Sequence, residues 1–197
     1  MKEFWNERYA KESYVYGTSP NAFFKEQLSL LDMGTILLPA EGEGRNAVYA
    51  AKLGWDVYAF DYSAQAQHKA IKLSEERRVS IHYEVASFDE ITFKPDFFDC
   101  IALFFVHVHP DERKTYHRKI VEWLKLGGTL LLEGFSKEQI NKPSGGPKNI
   151  NMLFSEKELT DDFNTLRHIE IYDFNTHLDE GSFHQGEASV IRMKGIK

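Results

Sequence analysis

The sequence lacks several features that would place it outside the cytoplasm. Its only cysteine, Cys100, lies inside an apolar run, so no intramolecular disulfide can form and a reducing compartment is expected. No apolar run approaches the roughly 18 residues that a membrane-spanning helix needs. The charged N-terminus, MKEFWNERYAKE, contains no apolar segment typical of a signal peptide. Together these absences predict a cytoplasmic protein that does not enter a membrane.

The sequence also lacks an excess of positive charge and the motifs of several enzyme classes. The formal net charge is −6, so a nucleic-acid partner has no electrostatic support from the chain as a whole. There is no Gly-x-Ser-x-Gly elbow, no P-loop and no cluster with metal-ligand spacing beyond the weak pair His107-x-His109. We expect no metal site, a small-molecule substrate, no nucleic-acid or membrane partner, and a monomer or homodimer.

What the chain does contain is a regular alternation of apolar runs and helical patterns from residue 35 onward. The apolar runs, such as IALFFV and TLLLEG, are continuous, which is typical of parallel strands covered on both faces. Strands that alternate with helices favour right-handed βαβ units. The predicted strands are 35–39, 57–61, 80–84, 98–105 and 128–134, and the predicted helices are 45–53, 63–78 and 111–125.

The two ends of the chain depart from this alternation. Ser19 and Pro20 predict the cap and the first turn of an N-terminal helix, and residues 125–128 predict a helix stop followed by a turn. The tail predicts a short capped helix and an antiparallel hairpin. We expect one α/β domain, 1–197, with an N-terminal lid or helix segment, 1–33, and a core, 34–197. The predicted tail elements are the helix 155–163 and the strands near 166–177 and 187–194.

A glycine turn after the first predicted strand is the most informative motif. The pattern Gly42-x-Gly44-x-x-Ala47 lies between an apolar run and a helical segment, and Asp61 ends the next apolar run. Glycines allow a backbone to approach a ligand closely, and the acid can accept hydrogen bonds from a ribose diol. This arrangement predicts a nucleoside-cofactor site.

Two glutamates in the turn bear on which cofactor binds. Glu41 and Glu43 flank Gly42, where the pyrophosphate of NAD would have to lie, and their carboxylates would repel it. S-adenosylmethionine carries a sulfonium and an ammonium and no phosphate, so it fits the turn better. A purely structural role, in which both side chains cap backbone N–H groups, stays open.

Five blocks spread over nearly the whole chain resemble the small bacterial class I methyltransferases of the tellurite-resistance and thiopurine methyltransferase group. The resemblance implies a Rossmann-like, seven-stranded, mostly parallel sheet with an antiparallel C-terminal hairpin and helices on both faces. It also implies methyl transfer from S-adenosyl-L-methionine. The blocks are YVYGTSPNAFF (14–24), ILLPAEGEGRNAVYAAKLGWDVYAFDYS (36–63), KLGGTLLLEGFSKEQ (125–139), GGPKNINML (145–153) and LDEGSFHQGEASVI (178–191).

The resemblance further assigns roles to individual residues. Asp61 is expected to bind the ribose diol, and Tyr62 to flank the adenine. Leu38, Ala40 and Ser87 stand where the family usually has an acid, a glycine and an aspartate. The expected cofactor contacts are Tyr16, Ala40, Glu41, Gly42, Gly44, Arg45, Asn46, Asp61, Tyr62, Ser63, Ser87, Phe88, Phe104 and Phe105.

Two histidines are the candidate catalytic residues. His107 follows the fourth predicted strand, where the fold presents the methyl group, and it could order the acceptor or take its proton. Structural hydrogen bonding is an equal alternative for His107, and for His184 the choice is between the acceptor pocket and fixing the hairpin. The acceptor is expected to be a thiol, a chalcogen oxyanion or a similar small molecule. An NAD(P)-linked oxidoreductase and a non-catalytic S-adenosylmethionine-binding protein remain as alternatives.

Overall fold

The computed structural model describes residues 2–197, which divide into two compact units. The first unit runs up to Thr92 and includes Glu180–Phe183, and the second contains Phe93–Asp179 and His184–Lys197. None of the helices within residues 2–197 is long and apolar enough to cross a membrane.

The first unit alternates helices with three parallel strands. The strands are ordered β3-β2-β1 and run parallel in both pairs. β1 is buried from Ile36 to Pro39, as its uninterrupted apolar sequence predicts. The elements are α1 (Lys2–Tyr9), α2 (Ala22–Leu28), β1 (Thr35–Pro39), α3 (Arg45–Lys52), β2 (Asp56–Asp61), α4 (Ala64–Glu76) and β3 (His82–Val85).

The second unit contains the other four strands of the sheet, in the order β4-β5-β7-β6. β4 and β5 are parallel, whereas β7 is antiparallel to both of its neighbours and lies between β5 and β6. The predicted seven-stranded sheet with an antiparallel hairpin is therefore confirmed. The elements are β4 (Phe98–Phe104), α5 (Pro110–Trp123), β5 (Leu124–Phe135), the 3₁₀ helices Lys137–Asn141 and Ile150–Met152, α6 (Glu156–Asp162), β6 (Arg167–Asp179) and β7 (Gln185–Ile196).

Two of the predicted element boundaries are wrong. The N-terminal cap is Asn21, not Ser19, because the Asn21 side chain accepts a hydrogen bond from the backbone N–H of Phe24 at 3.0 Å. The predicted helix stop and turn at residues 125–128 lie inside β5, which starts directly after α5 ends at Trp123. The register between β4 and β5 shifts there, so these residues form an irregularity within the strand.

Candidate active site

The glycine turn connects β1 to α3 through a left-handed backbone. Ala40, Gly42 and Gly44 have φ angles of 48°, 65° and 86°. A Cβ at Gly44 would lie 2.6 Å from the Cβ of Ala70, so the absence of a side chain allows α3 to approach α4 closely. A Cβ at Gly42 would lie 2.7 Å from the Tyr9 hydroxyl. Glycine is therefore required at both positions, whereas Ala40 holds a backbone conformation that is strained for an L-residue.

Glu41 caps the helix that follows the turn. Its Oε1 accepts hydrogen bonds from the backbone N–H groups of Asn46 at 2.9 Å and Ala47 at 2.8 Å. Burial disfavours the charged form and raises the pKa of the Glu41 carboxyl to about 7. In a dinucleotide-binding fold, N–H groups at the start of this helix hold the pyrophosphate. Here a carboxylate of the chain itself already occupies them, which counts against NAD.

Glu43 binds the N-terminal part of the chain. Its Oε2 accepts hydrogen bonds from the backbone N–H groups of Val15 at 2.7 Å and Tyr16 at 3.3 Å, and its Oε1 pairs with Lys69 Nζ at 2.5 Å. The Glu43 side chain is almost entirely buried. Capping of the helix therefore describes Glu41, whereas Glu43 binds the N-terminal segment and Lys69 and makes no cap of α3.

Asp61 ends β2 and lies beside the glycine turn. Its Oδ2 accepts a hydrogen bond from the Gly42 N–H at 3.2 Å, and its Oδ1 accepts one from the Ser63 N–H at 2.8 Å. Burial raises the pKa of the Asp61 carboxyl to about 6. Because an ionised carboxylate offers about four lone-pair sites, further acceptor capacity remains for a diol. The N-cap of α4 is Ser63.

Three predicted cofactor residues are bonded to groups outside the turn. The Tyr16 hydroxyl accepts a hydrogen bond from Arg8 Nη1 at 3.0 Å. Arg45 pairs with Glu180 at 2.9 Å, and Asn46 Oδ1 accepts the backbone N–H of Asn21 at 2.9 Å. The contacts of Arg45 and Asn46 fasten neighbouring segments to the start of α3.

The remaining predictions in the first unit lie after β2 and β3. Tyr62 is half-buried, and burial raises the pKa of its hydroxyl. The Ser87 Oγ donates to Glu90 Oε2 at 2.9 Å, so this hydroxyl already has an acceptor. Phe88 is buried and packs edge-on against Phe60, with ring centroids 5.1 Å apart.

In the second unit, aromatic rings and histidines gather around the ends of β4 and β5. Phe104 ends β4, and Phe105 follows it with a φ of 56°, which is an unusual backbone for a bulky residue. The Phe105 ring lies 4.4 Å from His184 and 4.8 Å from Phe135 between centroids. His184 is buried. Phe105, whose backbone is strained, therefore packs in one cluster of rings with Phe135 and His184.

His107 is held by backbone groups at both ring nitrogens. Its Nδ1 lies 2.8 Å from the carbonyl oxygen of Met152, and its Nε2 accepts the N–H of Phe135 at 3.0 Å. The Nδ1 therefore carries the proton and donates it to Met152. Burial lowers the pKa of His107 to about 4. In this arrangement His107 is a neutral structural residue with no lone pair left for a substrate proton.

Sequence reasoning missed three residues whose contacts hold the first unit together. Tyr9 covers Gly42, Lys69 donates to Glu43, and Glu180 pairs with Arg45. Each contact spans more than 25 positions along the chain, so no local spacing signals it. Only the buried placement of a lysine in the amphipathic helix α4 offered a hint for Lys69. No group of three or more potential metal ligands occurs within residues 2–197.

The donor set of the first unit fits S-adenosylmethionine. Asp61 has acceptor capacity for a ribose, the glycine turn allows close approach of the backbone, and the Glu41 carboxylate occupies the N–H groups where a phosphate would bind. Residues 36–128 match the family model described as a methyltransferase domain. The match covers the glycine turn, Asp61 and the end of β4.

Several solved structures share the fold of the chain, and a search of curated proteins gives no match. One, which concerns conversion of a disulfide bond into a thioacetal group during echinomycin biosynthesis, has a TM-score of 0.78 at 17% identity and covers 100% of this chain and 92% of its own. TehB from Haemophilus influenzae has a TM-score of 0.70 at 16% identity, with 100% and 66% covered. A methyltransferase from Methanosarcina mazei has a TM-score of 0.67 at 18% identity, with 91% and 98% covered.

The family model thus matches 93 of the chain's 197 residues, and the solved structures share its Rossmann-like fold. A plantazolicin methyltransferase, solved in complex with S-adenosylhomocysteine, shares the fold as well, with a TM-score of 0.64 at 11% identity.

Proposed function

We propose that the protein methylates a small molecule through a soft nucleophile, such as a thiol or a chalcogen oxyanion. The observation that carries the proposal is the bonding of His107, whose Nδ1 and Nε2 are both engaged by backbone groups. An oxygen or nitrogen acceptor would need a base to remove its proton, and His107 was the first candidate. A thiol with an ordinary pKa of about 8.5 already supplies some thiolate at neutral pH.

The cofactor would be held by the first unit. Asp61 would accept the ribose hydroxyls, the backbone around Ala40 and Gly42 would approach the nucleoside, and Tyr62 and Phe88 would border the base. When bound, S-adenosylmethionine supplies an activated methyl group on a sulfonium. The chain then has to orient the acceptor and exclude water, for which the apolar rings of Phe105 and Phe135 are suited.

The similar proteins point toward sulfur chemistry. One similar structure, with a TM-score of 0.78, concerns a disulfide that becomes a thioacetal. TehB, which shares the fold, agrees with the tellurite-resistance resemblance on which the chalcogen alternative rests. The net charge of −6 further favours a small molecule over a nucleic acid.

A non-catalytic protein that only binds S-adenosylmethionine is the second candidate. It is favoured by the strained backbone at Ala40 and by the bond from Ser87 to Glu90, since both remove features that usually serve the cofactor. The NAD(P)-linked oxidoreductase is disfavoured because Glu41 occupies the N–H groups of Asn46 and Ala47.

Titration calorimetry and a turnover assay test the proposal together. Calorimetry with S-adenosylmethionine, S-adenosylhomocysteine and NAD is expected to show binding of the first two only. Formation of S-adenosylhomocysteine is then measured with thiols, tellurite, phenols and amines. Turnover on a thiol or tellurite supports the proposal, and turnover only on phenols or amines contradicts it. Binding without any turnover favours the non-catalytic protein, and binding of NAD alone overturns methyl transfer.

We also propose that residues 1–197 form a single methyltransferase domain that works in the cytoplasm as a monomer or homodimer. The even spread of the family-like blocks along the chain supports this organisation. A single cooperative unfolding transition is expected in calorimetry. Two separate transitions would argue for independent units.

A further inference from the structure

The segment between α1 and α2, residues 10–21, forms a strap that lies against the glycine turn and the start of α3. Three groups that flank Gly44 hold it. Glu43 accepts the N–H of Val15, Arg45 Nη1 donates to the Tyr16 carbonyl oxygen at 3.3 Å, and Asn46 accepts the N–H of Asn21. The strap is therefore fastened to the same turn that the cofactor requires.

One edge of the strap is held by a buried lysine. Lys69 Nζ donates to the carbonyl oxygens of Lys11 at 2.8 Å and Ser13 at 2.7 Å, and it pairs with Glu43. The Lys69 side chain is 9% exposed. Because the ammonium group satisfies two strap carbonyls and one carboxylate, this edge is fully bonded and poorly suited to open.

The other edge is held by the loop between β6 and β7, which belongs to the first unit. Glu180 bridges two elements: its Oε1 accepts from Asn21 Nδ2 and its Oε2 from Arg45 Nη2, each at 2.9 Å. Its neighbour Gly181, at φ 81°, lies so close to the strap that a Cβ would collide with the Val15 carbonyl oxygen and lie 2.8 Å from Tyr16 Cα.

We infer that Glu180 is a positioning residue that clasps the strap over the glycine turn and sets the rate at which the cofactor leaves. This inference rests on the proposed function. Glu180 acts through Asn21 and Arg45, and it fixes the Tyr16 region that the sequence assigns to the cofactor. The Glu180 clasp is carried by a loop between two strands, whereas the Lys69 edge is anchored in the helix α4. Opening is therefore expected at the Glu180 edge.

The experiment measures release of S-adenosylhomocysteine by stopped-flow displacement in the intact protein. Glu180→Ala is expected to raise the dissociation rate constant about tenfold, since it leaves the nearly buried Arg45 without its charged partner. The association rate constant should change by less than about threefold, because affinity differences between related complexes mostly reside in dissociation. Glu180→Gln keeps one acceptor for Asn21, so its dissociation rate constant should lie between those of the wild-type protein and Glu180→Ala.

Asp179→Ala is the matched control, since it removes an exposed carboxylate from the adjacent position. It should leave both rate constants unchanged. Gly181→Ala displaces the loop sterically and should accelerate release as Glu180→Ala does. Hydrogen exchange of Val15 and Tyr16, whose N–H groups bond to Glu43, reports on the strap without any cofactor and should be faster in Glu180→Ala.

The outcomes separate the inference from the proposed function. If the wild-type protein binds no S-adenosylhomocysteine, the proposed function fails, while exchange of the strap amides still tests the clasp. If the wild-type protein binds it and folded Glu180→Ala shows unchanged release and unchanged amide exchange, the clasp is overturned. Faster exchange with unchanged release would leave Glu180 as a purely structural contact and would also overturn its role in cofactor exchange.

Discussion

The Nε2 of His107 accepts a hydrogen bond from the backbone N–H of Phe135 at 3.0 Å. The imidazole therefore joins the end of β5 to the segment that follows β4, and its other nitrogen binds the Met152 carbonyl oxygen. A histidine bonded in this way is neutral and fixed, and we expect the role of His107 to be structural.

Replacement of His107 tests whether it is structural. His107→Ala is expected to lower the free energy of unfolding by about 2–3 kcal/mol, since it removes two hydrogen bonds and buried ring contacts. Chemical denaturation measures this loss. A variant of unchanged stability whose turnover is abolished while it still binds S-adenosylmethionine would instead support a chemical role at the acceptor.

The pH dependence of stability provides a second test of His107. Its pKa falls from 6.5 to about 4 on folding, so the unfolded chain takes up a proton more readily. The stabilising contribution is complete above about pH 6.5 and is lost as the pH falls through about 4. Denaturation curves between pH 4 and 8 should therefore show that the free energy of unfolding decreases toward low pH, and His107→Gln should remove part of this decrease. An identical pH profile in the variant would contradict the assignment.

Asp61 is expected to control cofactor affinity. Asp61→Ala should weaken binding of S-adenosylmethionine by about 1–3 kcal/mol, because the N–H groups of Gly42 and Ser63 and the ribose hydroxyls lose their acceptor. In the wild-type protein, affinity should fall as the pH drops below about 6, where Asp61 becomes protonated. Titration calorimetry from pH 5 to 8 measures both effects, and Asp61→Asn is the control that should not titrate. Equal affinity in Asp61→Ala would reduce the carboxylate to a structural acceptor.

Glu41 is expected to destabilise the cofactor-free protein at high pH. Burial raises its pKa from 4.5 to about 7, so the folded state binds a proton that the unfolded state has already released, and stability falls as the pH rises through this range. Glu41→Gln keeps an acceptor for Asn46 and Ala47 without the charge. It should be more stable than the wild type by about 1–2 kcal/mol at pH 8 and similar at pH 4. Lower stability at both values would mean that the charge itself caps α3.

Ala40 offers a stabilising substitution. Its φ of 48° costs an L-residue roughly 1–2 kcal/mol, and glycine adopts this conformation freely. After the greater flexibility of unfolded glycine is subtracted, Ala40→Gly should gain about 0.5–1 kcal/mol, or about 2–3 °C in Tm. Ala50→Gly, in the interior of α3, is the control and should lower Tm. A lower Tm in Ala40→Gly would show that the methyl group makes contacts that outweigh the strain.

Local patterns in the sequence predicted the order of the elements and the place of the glycine turn. Continuous apolar runs predicted the strands within a few residues. A strand buried on both faces needs apolar residues at successive positions, and this local signal does not depend on distant neighbours. Asp61 could be placed beside the turn because parallel strands bring their carboxyl ends to one edge of the sheet. The helix cap at Asn21 was missed because Ser19 and Pro20 carry the same local signal.

The partners of the polar side chains could not be predicted in the same way. Glu43 meets Lys69 from 26 positions away, His107 meets Phe135 from 28, and Arg45 meets Glu180 from 135. The sequence predicted a nucleoside cofactor at the glycine turn and Asp61. Only the tertiary structure decided that Glu41 caps α3, that His107 is fully bonded and that a hairpin loop holds the strap, because hydrogen bonds are made between groups that folding brings together and not between neighbours in the chain.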